Sequence, residues 1–329
     1  MGENATGDRR GLSEFGWLAH FRAGLAGGVA AIAGAAAGEV HVGDDAAVLN
    51  PAVGKALFST DVAVEGVHFD LELGSVFDAG WKVVVANVSD IAAMGGVPAH
   101  AVVGVAAPPG MDLGGLFDGV RAAADEYGVA LVGGDLSSAP RLFLSVAILG
   151  DSGELAPVLR SGARPGDELW CTGPLGASAA GLAWLQARRQ GAAAGAATAA
   201  AEVLAQAYLH PIARPSEGRV AAELGATAMI DVSDGLSSDV SHIASESGVG
   251  IELDEVPVAP GATEQQALGG GEDYELVFAA PPGARVVEAF TEAGLRAPIR
   301  IGHCVVEPVT RALRGETLAI TGWEHDLDG

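Results

Sequence analysis

Four short apolar runs in this chain each lead into aspartate, and that recurrence constrains the fold more than any other feature. Glu39-Val40-His41-Val42 leads to Gly43-Asp44-Asp45, and Ala56-Leu57-Phe58 to Ser59-Thr60-Asp61. Val129-Ala130-Leu131-Val132 leads to Gly133-Gly134-Asp135, and Thr227-Ala228-Met229-Ile230 to Asp231-Val232-Ser233-Asp234-Gly235. Runs of this length and composition predict strands. Carboxylates at strand ends sit on rigid elements yet reach into a crevice, which suits a ligand site. Each motif alone also fits a turn, because Asp and Gly end strands for conformational reasons. Repeated four times, with Ser and Thr hydroxyls alongside, they supply an oxygen-only donor set suited to a polynuclear site for a hard cation such as Mg²⁺.

The stretch from Trp81 to Pro98 adds a further carboxylate, Asp90. Trp81, Val84, Val88, Ile91 and Met94 fall close to helical spacing, and Gly95-Gly96-Val97-Pro98 ends the run as a helix end should. Asn87 and Asp90, three apart, share one face. An ionised Asp in so apolar a helix is costly unless something positive compensates it. With 18 Lys and Arg against 42 Asp and Glu, candidates are few, and Lys82 points away from that face. A bound cation is the simplest compensation; an Asp at a solvated helix edge is the alternative.

At 329 residues the chain is long for one core, which predicts two domains. A net charge of −24 argues against nucleic acid, since no basic patch could neutralise a phosphate backbone. It also makes an anionic substrate awkward unless metal ions accompany it. The two cysteines, Cys171 and Cys304, are too few for a thiolate zinc site or a disulfide framework, which fits a reducing compartment. Arg9-Arg10 ahead of the Ala/Gly run 23–38 resembles a twin-arginine export signal only faintly, because Arg22 interrupts it. No stretch is long and apolar enough to span a membrane. The expectation is a cytoplasmic protein.

Along the chain, residues 1–12 read as a polar flexible tail and Ser13 opens a short amphipathic helix. The character changes near residue 150, which divides the expected domains into 13–150 and 151–329. Arg160-Ser161-Gly162-Ala163-Arg164-Pro165-Gly166-Asp167 is a basic, turn-rich connector before a strand at 168–172. Gly173 to Leu182 then turns into a helix whose N-terminus either holds an anion or merely follows an ordinary strand and turn. Residues 186–207 are Ala-rich helix formers, and 240–247 reads as helix. Gly269-Gly270-Gly271-Glu272-Asp273-Tyr274-Glu275 sets carboxylates and an aromatic before another strand, and Trp323 reads as a domain lid or core plug more readily than a ligand platform. Neither a P-loop nor G-x-G-x-x-G occurs, and 231–239 lacks the ligand pattern of an EF-hand. A bound nucleotide would therefore depend on metal and on backbone amides, and Gly133-Gly134 would let main chain approach a phosphate.

Taken together, these motifs resemble the thiamine-monophosphate kinase family of the aminoimidazole-ribonucleotide-synthetase-like superfamily, from Ser13 to His325. The resemblance rests on Gly43-Asp44-Asp45, Ser59-Thr60-Asp61 with Val67-His68-Phe69, and Asn87-Val88-Ser89-Asp90-Ile91-Ala92-Ala93-Met94-Gly95. It continues through Gly133-Gly134-Asp135, Arg160-Ser161-Gly162, Asp231-Val232-Ser233-Asp234-Gly235-Leu236, Gly270-Gly271-Glu272-Asp273-Tyr274-Glu275-Leu276 and Gly322-Trp323. It implies an α/β (α+β) chain of two domains, the N-terminal one binding metal and ATP and pairing its sheet across a homodimer, the C-terminal one an α+β layer. It implies phosphorylation of thiamine monophosphate by ATP with several Mg²⁺ ions. By motif position, Asp45, Ser59, Thr60, Asp61, Asp90, Asp135, Asp231 and Asp234 would hold metal. Gly134, Asp135, Arg160 and Ser233 would contact ATP, and His68, Glu272 and Trp323 the thiamine substrate. Asp45, Asp61, Asp90, Asp135 and Arg160 would carry catalysis. Three departures are Leu136-Ser137-Ser138 where the family usually continues with Thr, Ala177 where it often has Asp, and Glu324-His325-Asp326-Leu327 at the chain end.

The chemistry agrees with that resemblance. A phosphate oxygen is already an anionic nucleophile, so the difficulty is bringing two polyanions together, which Mg²⁺ relieves. The thiazolium ring of thiamine is cationic, making Glu272 and the face of Trp323 sensible partners. The alternatives are another ATP-dependent member of the superfamily with a different acceptor, and a non-catalytic metal- or nucleotide-binding relative. The absence of a cysteine near the N-terminus disfavours the selenium-phosphorylating branch, and a binding-only relative predicts gaps among the acidic motifs that this chain lacks.

Overall fold

In a computed structural model of the protein, the described residues are 39, 41, 46–191 and 199–323. The expected tail, the helix opening at Ser13, the 23–38 run and Gly43-Asp44-Asp45 lie outside them. Glu39 and His41 are described, and neither is in a strand. The chain forms two compact units: residues 1–51, 60–84 and 99–149 in the first, residues 52–59, 85–98 and 150–329 in the second.

The first unit is built on a four-stranded sheet. β1 (Ala56–Val64), β4 (Phe143–Asp151), β2 (Val97–Ala107) and β3 (Ala130–Ser138) lie side by side in that order. β2 and β3 run parallel, with Gly104 opposite Asp135 and a register shift between Ala101 and Val102. Parallel neighbours need a crossover, and α2 (Leu113–Glu126) supplies it. Its start is fixed by Asp112, whose carboxylate accepts from the Gly115 amide at 3.0 Å. α1 (Val76–Ala93) approaches α2 so closely that a Cβ on Gly119 would stand 2.0 Å from the Phe77 carbonyl. Alternate residues of β4, Leu144, Val146 and Ile148, are fully buried, as are Leu116 and Val120 of α2. On the opposite pleat Val62, Val102 and Phe143 are exposed, an apolar face that none of the described residues covers.

The second unit contains a seven-stranded sheet: β11 (Glu316–Thr317), β10 (Arg311–Leu313), β7 (Gly250–Leu253), β9 (Ile299–Val305), β5 (Glu168–Cys171), β8 (Leu276–Ala280) and β6 (Ala228–Asp231), in that spatial order. All pairs are antiparallel except β10 with β7. β8 reads Leu-Val-Phe-Ala-Ala without alternation because both its faces are covered. Val277 and Ala279 join Val240 and Ile243 of α6 (Leu236–Ser247), while Leu276 and Phe278 join Ala92 of α1, Ala221 of α5 (Pro215–Glu223) and Phe290 of α8 (Val286–Glu292). α3 (Ala177–Arg189) and α4 (Ala199–Leu209) meet at Gly181, where a Cβ would stand 2.0 Å from the Leu204 carbonyl. α7 (Glu264–Gly269) starts with a capping box between Thr263 and Gln266.

The helix expected around Asp90 is α1, and Gly95 ends it with a φ of +69°. The strand-end reading needs correction. Ser59-Thr60-Asp61 lies inside β1 and Asp135 inside β3; among the described motifs only Asp231 closes its strand. Pairing to neighbouring strands carries the backbone through these polar residues, which local sequence signals of turns cannot anticipate. Cys171 and Cys304 are free and buried. No helix among the described residues is long and apolar enough to cross a membrane.

Candidate functional site

The second unit gathers a cluster of carboxylates around the end of β6. Asp231 is 3% exposed and accepts a 2.6 Å hydrogen bond from the Ser89 hydroxyl of α1. One residue on, Asp90 accepts from the hydroxyl of Ser59 on β1. Asp239, 1% exposed in the first turn of α6, reaches back to accept from the amides of Asp234 at 3.2 Å and Gly235 at 3.0 Å. Gly235, at φ +124°, caps α6 without a side chain, and the Asp239 carboxylate takes over that task.

These acids destabilise one another's charge. Burial raises Asp231 to about 6, and Asp90 pushes it the same way, against the opposing pull of Ser89 and Arg160. Burial, Asp231 and Asp234 raise Asp239 to about 8. Buried like charges of this kind are relieved by a cation, and the oxygen-only donors match the preference of Mg²⁺. The residues present therefore fit the metal that the sequence predicted.

Beside the cluster, the loop after β6 is stitched to the segment before β8. Ser233 accepts at its carbonyl from the Glu272 amide at 2.9 Å, and Val232 accepts from Tyr274 at 3.0 Å. The Trp323 amide donates to the Asp234 carbonyl at 3.1 Å. A Cβ on Gly271 would stand 2.2 Å from the Ser233 carbonyl, so only glycine allows the approach. Glu272 and Tyr274 adopt left-handed φ values of +64° and +50°, costly for non-glycine residues and common where a site is held in a fixed shape. Ser233, Asp234, Glu272 and Trp323 thus share one corner of the unit. Trp323 is 54% exposed, so it plugs no core.

The helix N-terminus for which an anion site and an ordinary strand and turn were the two alternatives is already filled from within the chain. Asp273 accepts from the Gly176 amide at 2.5 Å and the Ser178 amide at 3.2 Å at the start of α3. An anionic side chain there satisfies the same orphan amides that a phosphate would. Glu275 is likewise committed to structure: it accepts from Arg214 and Arg296 at 2.8 Å and from the Thr172 hydroxyl at 2.6 Å.

In the first unit, the pleat of β1 puts Asp61 on the face opposite Thr60, whose hydroxyl donates to the Val146 carbonyl at 2.8 Å. Asp135 follows Gly134, where a Cβ would stand 2.3 Å from the Val103 carbonyl. His68 accepts at Nδ1 from the Val64 amide at 3.0 Å, which leaves the proton of a neutral imidazole on Nε2. Arg160 is exposed in the connector of the second unit, where its carbonyl accepts from the Ser247 hydroxyl at 3.3 Å. Asp45 lies outside the described residues.

Sequence reasoning assigned no role to Ser89, Asp239 or Asp273. A signal for Asp239 existed: a glycine at the N-cap followed by a carboxylate in the first helical turn. Asp273 carried no local signal, because its partners lie 97 and 95 residues away.

Comparison with known proteins gives a consistent result. Residues 43–151 match the AIR synthase related protein, N-terminal domain, and residues 164–313 match the AIR synthase related protein, C-terminal domain. The chain is 39% identical over 252 residues to thiamine-monophosphate kinase of Mycobacterium tuberculosis, covering 71% of this chain and 73% of that one. The crystal structure of thiamine-monophosphate kinase from Stenotrophomonas maltophilia superposes with a TM-score of 0.79 at 32% identity, over 93% of this chain and 98% of that one. AaThiL complexed with AMPPCP and TMP superposes with a TM-score of 0.74 at 29% identity, over 98% of this chain and all of that one (100%).

Proposed function

The chain belongs to the thiamine-monophosphate kinase family of AIR synthase related proteins, and from that premise we propose that it phosphorylates thiamine monophosphate with ATP to give thiamine diphosphate and ADP. The observation that carries the reading is the acid cluster at the end of β6, where Asp90 opposes ionisation of the buried Asp231 and Asp231 opposes that of the buried Asp239, charges that a cation would relieve. The likeness to AaThiL complexed with AMPPCP and TMP supports ATP and thiamine monophosphate as the ligands.

The attacking group is a phosphate oxygen of thiamine monophosphate, already anionic, and ADP leaves from the γ-phosphorus in line with it. No residue has to act as general base. When bound, several Mg²⁺ ions would offset the charge of both phosphate groups and of the transferring phosphoryl group. In the second unit Ser59, Asp90, Asp231 and Asp234 are the groups proposed to hold them; in the first, Thr60, Asp61 and Asp135; and Asp45 is proposed on its sequence position alone. Hydroxyl donation from Ser89 and Ser59 keeps the Asp231 and Asp90 carboxylates oriented. Arg160 supplies positive charge to ATP, and Gly134 and Ser233 supply contacts to it without a bulky side chain. His68 offers Nε2–H, Glu272 a negative charge and Trp323 an exposed ring to the thiamine moiety.

The proposal includes a homodimer paired through the first unit's sheet, supported by the exposed apolar side chains of Val62, Val102 and Phe143 on one of its faces. It also includes a cytoplasmic location, supported by two free buried thiols.

The test is an endpoint assay with ATP, Mg²⁺ and thiamine monophosphate, with and without chelator, both products separated by chromatography. Stoichiometric, chelator-sensitive thiamine diphosphate and ADP are expected. ADP without thiamine diphosphate would move the acceptor elsewhere in the superfamily, and neither product from folded, ATP-binding protein would leave a binding-only relative.

A further inference from the structure

Glu39, His41 and His100 form a cluster in the first unit that takes no part in the proposed kinase chemistry. His41 Nε2 lies 3.2 Å and His100 Nε2 3.7 Å from the same oxygen, Oε2 of Glu39. All three potential ligand atoms fall within 4.8 Å of one another. The Glu39 side chain is 4% exposed and the two imidazoles 17% and 19%, so the group is enclosed with limited access from solvent.

The surroundings orient the cluster. Glu39 Oε1 accepts from the Asn50 amide at 2.9 Å, which turns Oε2 toward the two histidines. The rings lie edge to face, 5.9 Å between centroids at 80°, so they do not stack, and both direct Nε2 at the carboxylate. His100 stands on β2 opposite Ala130, whereas Asp135 is opposite Gly104, four positions further along. At about 3.3 Å per residue that is roughly 13 Å along the strand.

Two imidazole nitrogens and one carboxylate oxygen are a donor set for a borderline transition metal. Mg²⁺ prefers oxygen and octahedral geometry, whereas Zn²⁺ takes nitrogen and oxygen at about 2.0–2.1 Å in a tetrahedron. Ligand atoms at those distances around a tetrahedral centre stand roughly 3.4 Å apart, and the two Glu39 separations bracket that value. A simple ion pair needs only one histidine on the carboxylate; here two nitrogens converge on one oxygen.

We propose that Glu39, His41 and His100 bind one Zn²⁺ per chain, with the fourth position left to water or an exogenous ligand. The metal ties the segment preceding β1 to the beginning of β2, residues 59 or more positions apart in sequence, and it operates independently of the Mg²⁺ sites.

The test uses the full chain, stripped with chelator and held in excess Mg²⁺ so that the oxygen-only carboxylate sites are filled, and titrated with Zn²⁺ against a chromophoric chelator. The parent protein should take up about one equivalent at about micromolar Kd or tighter. His41→Gln and His100→Gln should each weaken this by at least about 100-fold. Co²⁺ in place of Zn²⁺ should give the intense visible absorption of a four-coordinate centre, lost in either variant. Uptake by the doubly substituted protein equal to that of the parent, or no uptake under excess Mg²⁺, overturns the site. Should a variant fail to fold, Zn²⁺ protection of His41 and His100 in the parent from diethylpyrocarbonate, read by mass spectrometry, decides instead. Equal modification with and without Zn²⁺ overturns the proposal.

Discussion

The Ser89 hydroxyl donates to the Asp231 carboxylate at 2.6 Å across 142 residues of sequence. The bond joins the C-terminal part of α1 to the end of β6, and it keeps a buried carboxylate partly compensated while burial and Asp90 both push its protonation upward. Ser89→Ala removes a hydrogen bond to a buried acid and should cost about 1.5–3 kcal/mol in urea unfolding at neutral pH. An unchanged midpoint would mean that the carboxylate is protonated and needs no donor.

Asp231→Asn should separate activity from stability. Turnover should fall at least about 100-fold, the scale of losing one electrostatic partner of the transition state. The metal-free protein should melt no lower than the parent, because one of several mutually repelling acids is gone. Melting without metal alongside turnover with Mg²⁺ checks both halves.

Asp273 predicts a pH dependence. Burial raises its folded-state value to about 6 from the ordinary 3.8, although the Gly176 and Ser178 amides pull it down. A carboxyl raised on folding stabilises the fold most where it is protonated, so its contribution is lost as pH rises from about 4 through 6. The loss is at most about 3 kcal/mol for a shift of roughly two units. Asp273→Asn keeps a capping oxygen without the charge, so chemical denaturation at pH 4.5 and 7.5 should show a smaller pH difference in the variant than in the parent.

Glu275→Gln should be costly away from any ligand. Arg214 and Arg296 would lose the charge they share, and Thr172 a strong acceptor. The expected loss is about 2–3 kcal/mol rather than more, because Arg296 is 45% exposed and water compensates it in part. Urea unfolding measures it, with the KM for both substrates expected unchanged in the folded variant.

Gly134→Ala tests how tightly β3 approaches β2. The added methyl would stand 2.3 Å from the Val103 carbonyl, a backbone atom that cannot swing aside. Destabilisation of about 1–3 kcal/mol is expected, with a raised KM for ATP. A variant as stable as the parent would show that the strands separate freely there.

The sequence by itself determined the family, the class of the fold and the helix that carries Asp90, because these depend on ordered motifs and on local periodicity. A strand after the Gly269–Glu275 stretch was expected as well, and β8 is that strand, but that both its faces are covered was decided by the packing. The tertiary structure alone decided that Ser59-Thr60-Asp61 and Asp135 sit inside strands, since pairing with distant neighbours overrides local turn propensity. It alone decided that Asp273 fills the start of α3, that Glu275 serves two arginines, and that Ser89 reaches Asp231. It also brought Glu39, His41 and His100 onto one point. Contacts between residues tens to more than a hundred positions apart leave no periodic trace in a single chain, and charge inside a folded protein depends on which groups those contacts bury together.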